Sequence, residues 1–205
     1  PLDLSLETLP DFKENLESKT LSFSQFGNSY HIPITYNKNL IDFMASYPQA
    51  DYETFFNAPL EKSTLSDLSI AFKEHISGKK ASEAINFMLH FVQNAFVYQQ
   101  DNEQFAREKV MFAQETLYYD KSDCEDRAVL FSSLIKEFFG INVVGVKYKD
   151  HMATALYIPL EGDSVSVKSK KFVIADPTYV NATLGMSMPK YRAIKPVEYI
   201  VVKQD

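Results

Sequence analysis

The single thiol of this chain, Cys124, lies in the polar run Ser122-Asp123-Cys124-Glu125-Asp126-Arg127, directly before a strongly apolar stretch. Ala128, Phe131, Ile135 and Phe138 follow it at offsets of 4, 7, 11 and 14, so the five residues share one helix face. A sulfur at the solvent end of a buried stripe is held rigidly and can still be reached, which suits a nucleophile. The unpaired N–H groups at a helix start favour the thiolate by roughly 0.3–1 kcal/mol. Asp123, Glu125 and Asp126 push the other way, because like charges disfavour a further anion. The helix alone therefore does not activate the thiol. A cationic partner is required, and an imidazolium is the usual one.

Four histidines are available. His31 falls in an N-terminal strand, His75 near a helix end beside Glu74, and His90 within a core-facing helix, and each reads as structural or solvated. His151 follows a turn at Tyr148-Lys149-Asp150 and opens a strand. Alternation places His151, Ala153, Ala155 and Tyr157 on one side, where the small residues are expected to admit the helix carrying Cys124. If 151–158 pairs antiparallel with 171–176, Asp176 comes beside His151 and shares a face with Ile174 and Phe172. A carboxylate there accepts the imidazole N–H, fixes the tautomer and steadies the ion pair. Taken alone, Asp176-Pro177-Thr178 is a strand-ending turn. Taken with the other two, it completes a Cys-His-Asp triad.

The elements that must position these residues can be read along the chain. Residues 1–20 suggest a short helix or linker. Segments 21–26 and 30–36 flank Gly27-Asn28-Ser29 as a hairpin. A helix is expected over 39–47, then an irregular aromatic wrap over 48–59. Leu65, Leu68, Phe72 and Ile76 make one helix face, ended by Gly78, and Ser82 opens another that includes Phe96. A capping pattern at Ser122-Asp123 starts a third helix, which stops at Gly140. Strands follow at 141–148, 151–158, 171–176 and near 198–202, with a solvated loop over 159–170. Helices first and antiparallel strands second is an α+β arrangement.

At this point the chain resembles the transglutaminase-like superfamily of papain-fold thiol enzymes. The matching residues are Ser122-Asp123-Cys124-Glu125-Asp126-Arg127-Ala128, His151-Met152-Ala153-Thr154-Ala155 and Ala175-Asp176-Pro177-Thr178-Tyr179, within about residues 80–185. The whole chain is similar to transglutaminase-like domains found in larger proteins of Bacteroides-type bacteria. The resemblance implies a papain-like core of helices on an antiparallel sheet, with Cys124 as nucleophile, His151 as base and acid, and Asp176 as orienter. It implies cleavage of a peptide or other amide bond in a peptide or protein substrate. Animal transglutaminases use a Trp at the oxyanion, and this chain has none, so hydrolysis is the default over transamidation. A catalytically silent binding or scaffold module is the third reading. Backbone N–H of Cys124 is one oxyanion donor, and Gln114, Tyr118 and Tyr119 are candidates for the second, with Gln114 and Tyr119 carried forward. Asp-Cys-Glu also resembles the motif of calcium-dependent bacterial relatives, which makes Asp123 and Glu125 candidate Ca²⁺ ligands. The plain alternative is that Asp123 caps the helix and the other acids favour its first turn. No cofactor is otherwise required.

Composition bounds the rest. With 45% apolar residues and 14% aromatics in 205 residues, the chain can bury a core without disulfide or metal. One cysteine excludes a disulfide scaffold and a Cys-rich metal site, and leaves the compartment open. A net charge of −6 does not suit nucleic acid. No apolar run reaches the roughly 20 residues of a membrane span. The chain contains no phosphate loop, dinucleotide fingerprint or nucleophile elbow. Residues 1–60 are expected to form an extension packed on a catalytic core of residues 61–205. Beginning Pro1-Leu2-Asp3, the chain reads as a fragment of a longer protein or a processed chain.

Overall fold

The computed structural model describes residues 3–204, so Pro1 and Leu2, on which the reading of the chain start rests, lie outside it. Strands β1 (Leu16–Gln25) and β2 (Asn28–Asn37) form the N-terminal hairpin. Its turn is Phe26-Gly27, both at positive φ (48° and 79°), one residue earlier than expected. Such a two-residue turn matches the strands' own twist and lets Gln25 pair with Asn28. Of the short helix or linker expected over residues 1–20, no helix forms among the described residues. Residues 3–15 carry no regular element, and 16–20 belong to β1.

Helix α1 (Lys38–Ser46) starts at once, with the Asn37 side chain accepting from Asn39 N–H at 3.1 Å. The stretch expected to be irregular contains α2 (Tyr52–Asn57), which buries Phe55 and Phe56. Helices α3 (Lys62–Ile76) and α4 (Ala81–Asn94) follow, the second ending before Phe96. Four small elements then come that the sequence did not announce: β3 (Val97–Tyr98), α5 (Asp101–Gln104), α6 (Ala113–Tyr118) and β4 (Lys121–Ser122). β3 runs parallel to β4 with Tyr98 opposite Ser122. Helix α7 (Cys124–Phe139) ends on Gly140 at φ 58°, a left-handed cap.

The rest is one antiparallel sheet: β5 (Val143–Lys147), β6 (Met152–Leu156), β7 (Ser164–Val167), β8 (Lys170–Ala175) and β9 (Glu198–Val201), in the order β7-β8-β6-β5-β9. The solvated loop expected over 159–170 thus contains β7. Its Ser-Val-Ser-Val pattern alternates, but its Ser and Lys surroundings read as loop. The architecture is α+β, with helices packed on an antiparallel sheet, as the order of segments implied.

Both faces of the sheet are buried along β5, β6 and the end of β8, and alternation assigns the core residues there to one face or the other. Val143, Met152, Leu156, Ala175 and Ile200 join the large core that includes α7 and reaches out to Leu6. Val144, Val146, Ala153, Ala155, Phe172 and Ile174 join a second cluster with Tyr148 and Tyr191. This corrects one expectation. The face of Ala153 and Ala155 receives those two tyrosines, and the Cys124 helix packs on the face of Met152 and Leu156. Large side chains already cover the outer face, so the small residues make room for rings there. Gly145 in β5 makes a similar accommodation, since an added Cβ would lie 2.9 Å from the Phe56 ring.

Candidate active site

Asp123 places Cys124 at the first position of α7. Its carboxylate accepts from Asp126 N–H at 3.4 Å, and the Asp126 carboxylate accepts from Asp123 N–H at 3.2 Å, a reciprocal cap. Arg127, 2% exposed, fixes the same turn from below. It donates to Ser122 Oγ at 3.1 Å and to the carbonyls of Gln93 and Phe96 at 3.3 and 2.8 Å. Those carbonyls lie at or just beyond the end of α4, where orphan acceptors and the helix dipole both favour a cation.

The Cys124 thiol is 7% exposed and donates to Glu125 Oε2 at 2.8 Å. Burial pushes its pKa up, the Glu125 charge and hydrogen bond push further, and Asp123 adds to them. Opposing them, the backbone amide of Met152, the residue after His151, favours the anion.

His151 and Asp176 meet directly. His151 Nε2 lies 2.8 Å from Asp176 Oδ2, and both residues are buried. The register pairs Thr154 with Ala175, so the next step sets Asp176 opposite Ala153, diagonal to His151. The other Asp176 oxygen accepts from the backbone N–H groups of Thr178 and Tyr179 at 3.0 and 3.1 Å. With Nε2 donating to a carboxylate so held, Nδ1 is the ring nitrogen left to take a proton. The imidazole plane is set by stacking on Tyr191 (centroids 4.8 Å, planes 16° apart), which itself packs on Tyr148 at 4.6 Å. Sequence reasoning missed this stack. The only signal was an aromatic at 148 beside the histidine and an isolated one more than 40 residues later.

The two candidate oxyanion side chains have other surroundings. Gln114 spends its amide on the fold, donating to Thr64 Oγ1 at 2.8 Å and accepting from Glu61 N–H at 3.1 Å, which ties α6 to α3. Tyr119 meets Phe105 and Tyr118 edge-on, and the charges that reach its phenol are those of Glu115, Tyr118, Lys38 and Asp42. Two other phenols sense the thiol instead. Burial, followed by Glu125 and Cys124, pushes Tyr52 up to about 12. Burial, followed by Cys124 and Asp123, does the same to Tyr98.

The acids around the thiol are not arranged as the sequence suggested. Glu125 faces the sulfur, and the carboxylates that gather, within 4.8 Å of one another, are those of Asp101, Asp123 and Asp126. Asp126 Oδ1 accepts from Met111 N–H at 2.8 Å, and Asp101 Oδ2 accepts from Lys109 N–H at 2.7 Å. Asp101 Oδ1 is buried without a hydrogen-bond partner. Burial raises Asp101 to about 6, and burial with mutual repulsion holds Asp123 and Asp126 well above the ordinary carboxylate range.

No helix among the described residues is long and apolar enough to cross a membrane. No family model matches the chain, and no curated protein matches it. Among solved structures it is similar to a provisionally assigned cysteine protease from Cytophaga hutchinsonii, determined at 1.9 Å. The two are 13% identical over 98% of this chain and 83% of that chain, with a TM-score of 0.40. At that identity and score the likeness assigns neither an activity nor a residue.

Proposed function

We propose that this chain is a thiol hydrolase of the transglutaminase-like, papain-fold kind, cleaving a peptide or other amide bond in a peptide or protein. The observation that carries the reading is the 2.8 Å contact between His151 Nε2 and Asp176 Oδ2, supported by the Met152 amide, next to His151 in the chain, acting on the Cys124 thiol. In the proposed reaction, His151 Nδ1 takes the Cys124 proton as the sulfur attacks the carbonyl carbon. The oxyanion forms against the Cys124 N–H. The Tyr52 and Tyr98 phenols, protonated at neutral pH, are proposed as further donors in place of Gln114 and Tyr119. His151 then gives the proton to the leaving amine, and a thioester remains. A water molecule, deprotonated by His151, releases the acid and restores the thiol. Residues 61–205 carry the three central groups, and the extension, residues 1–60, supplies Tyr52 as one wall.

Calcium enters the proposal with an altered ligand set. Carboxylate oxygens suit Ca²⁺, and the orphaned Asp101 Oδ1 fits a cation. Asp101 and Asp123 would hold it, with Asp126, and its charge would offset the repulsion that keeps the thiol protonated. Millimolar Ca²⁺ is expected to raise the melting temperature and speed alkylation of Cys124 in the native chain and in E125Q, but not in D101N. No change in either readout removes the metal.

The S–H bond to Glu125 favours one second reading, a catalytically silent module whose thiol stays neutral. Incubation with a broad peptide library, followed by mass spectrometry, separates the two. New termini that vanish in C124A and H151A support the hydrolase. Intact peptides, with and without Ca²⁺, support the silent module, and incorporation of amines into glutamine instead identifies a transamidase.

A further inference from the structure

Helix α4 carries a polar stripe inside an otherwise apolar surface: Asn86, His90 and Gln93, at helical spacings of four and three. The stripe faces the loop that follows β8. Asn86 Oδ1 accepts from Leu184 N–H at 2.9 Å. Gln93 Nε2 donates to the carbonyl of Asp176 at 3.0 Å and to that of Ala182 at 3.1 Å. Gln93 is 2% exposed, so these bonds have no competition from solvent.

The orientation of that amide is not arbitrary. Two carbonyl oxygens can only accept, so both contacts require the NH₂ end, and Oε1 is left as an acceptor. His90 Nδ1 lies 2.9 Å from it, and therefore carries a proton. Burial lowers the His90 pKa, which keeps the ring neutral as the Nδ1–H tautomer. Rotating the Gln93 amide would set an oxygen against two oxygens and an N–H against an N–H. The His90 ring thus locks the amide.

What the amide holds is the backbone of the residue that orients the imidazole. Asp176 lies one residue past the end of β8, and Pro177 after it donates no N–H. The local turn fixes Oδ1 through Thr178 and Tyr179, both bonds lying within the turn itself. Gln93 ties that turn to α4, whose end is tied by Arg127 to the turn carrying Cys124. One buried side chain therefore links the two halves of the site, beside the β6–β8 pairing.

We propose that Gln93 is a positioning residue: by holding the Asp176 carbonyl it keeps Oδ2 on His151 Nε2, and so fixes the ring whose Nδ1 is to take the Cys124 proton. This rests on the reading of Cys124, His151 and Asp176 as a working triad. Displacements of about 1 Å at such a point can cost up to a hundredfold in rate.

The test reads the His151 ring proton by NMR, assigned through its absence in H151Q, together with iodoacetamide alkylation of Cys124 at pH 8. In Q93L the ring proton is expected to move upfield or vanish, and alkylation to slow by roughly tenfold, in a chain that still unfolds cooperatively. Q93N, polar but one methylene short of both carbonyls, carries the same expectation should Q93L not fold. H90F, which frees the amide to rotate, is expected to fall between. A Q93L protein that melts earlier yet keeps the ring proton in place overturns the proposal and makes Gln93 a purely structural residue. If the native chain has no such proton, and H151Q and D176N alkylate at the native rate, the triad reading itself fails and this proposal fails with it.

Discussion

A thiol at the first turn of a helix gains from the unpaired N–H groups there, by roughly 0.3–1 kcal/mol. Cys124 has that advantage and loses it. Burial removes the solvent that would stabilise its anion, and Glu125 both repels the thiolate and accepts the S–H hydrogen at 2.8 Å. The helix N–H groups, the Met152 amide and the Arg127 charge act in favour of the anion, against a larger opposition from burial and Glu125. The proton therefore sits on sulfur until Glu125 is displaced or its charge is offset. The direction of a substitution follows. E125Q removes the charge and leaves a weaker acceptor, so its alkylation profile is expected to move to lower pH by about one to two units. Iodoacetamide labelling across pH, followed by intact mass, measures this. A profile that stays put or moves upward would show that burial alone governs the thiol.

The elements that carry the site were legible because their signals are local. Asp123 before the apolar stripe and Gly140 after it mark α7, and each acts at the position where it was read. The strand pairing that joins His151 to Asp176 follows from two adjacent segments and the antiparallel rule. Which sheet face meets which partner was not legible. Ala153 and Ala155 fit a helix or a pair of rings equally well, and the rings come from Tyr148 and Tyr191, on opposite sides of a long connection. The small elements between 97 and 122 escaped for a similar reason: each is too short to show a period, and tertiary bonds hold them, such as the buried Lys109–Glu115 pair at 2.6 Å. The contact of α2 with the sheet is also tertiary, and it can be tested. A Cβ on Gly145 would lie 2.9 Å from the Phe56 ring and 3.1 Å from Ile200 Cβ. Both neighbours are buried, so G145A is expected to cost about 1–3 kcal/mol through overpacking, read as a lower urea midpoint with an unchanged slope. An unchanged midpoint would mean that α2 shifts away from the sheet freely.

Across the whole molecule, the buried acids near the site couple folding to pH. Asp101 titrates at about 6, raised chiefly by burial, and burial and mutual charge hold Asp123 and Asp126 higher still. Unfolded, all three lose their protons near pH 4. From about pH 4 upward the native state therefore binds more protons than the unfolded one, and stability falls as pH rises. Each such proton contributes a slope of about 1.4 kcal/mol per pH unit until the native group titrates. His90 acts in the opposite sense. Its pKa is lowered by burial, so the unfolded chain binds the extra proton below about 6.5 and acid costs stability there. Above about 6.5 Asp101 is largely ionised, and Asp123 and Asp126 act without that opposition. Thermal unfolding in EDTA buffer is expected to show a midpoint that drops steadily from pH 6.5 to 9, with D126N flattening the drop even if it lowers every midpoint. A native profile that is flat or rising over that interval would mean that Asp123 and Asp126 are already ionised at neutral pH, with their charge met by the fold rather than by protons.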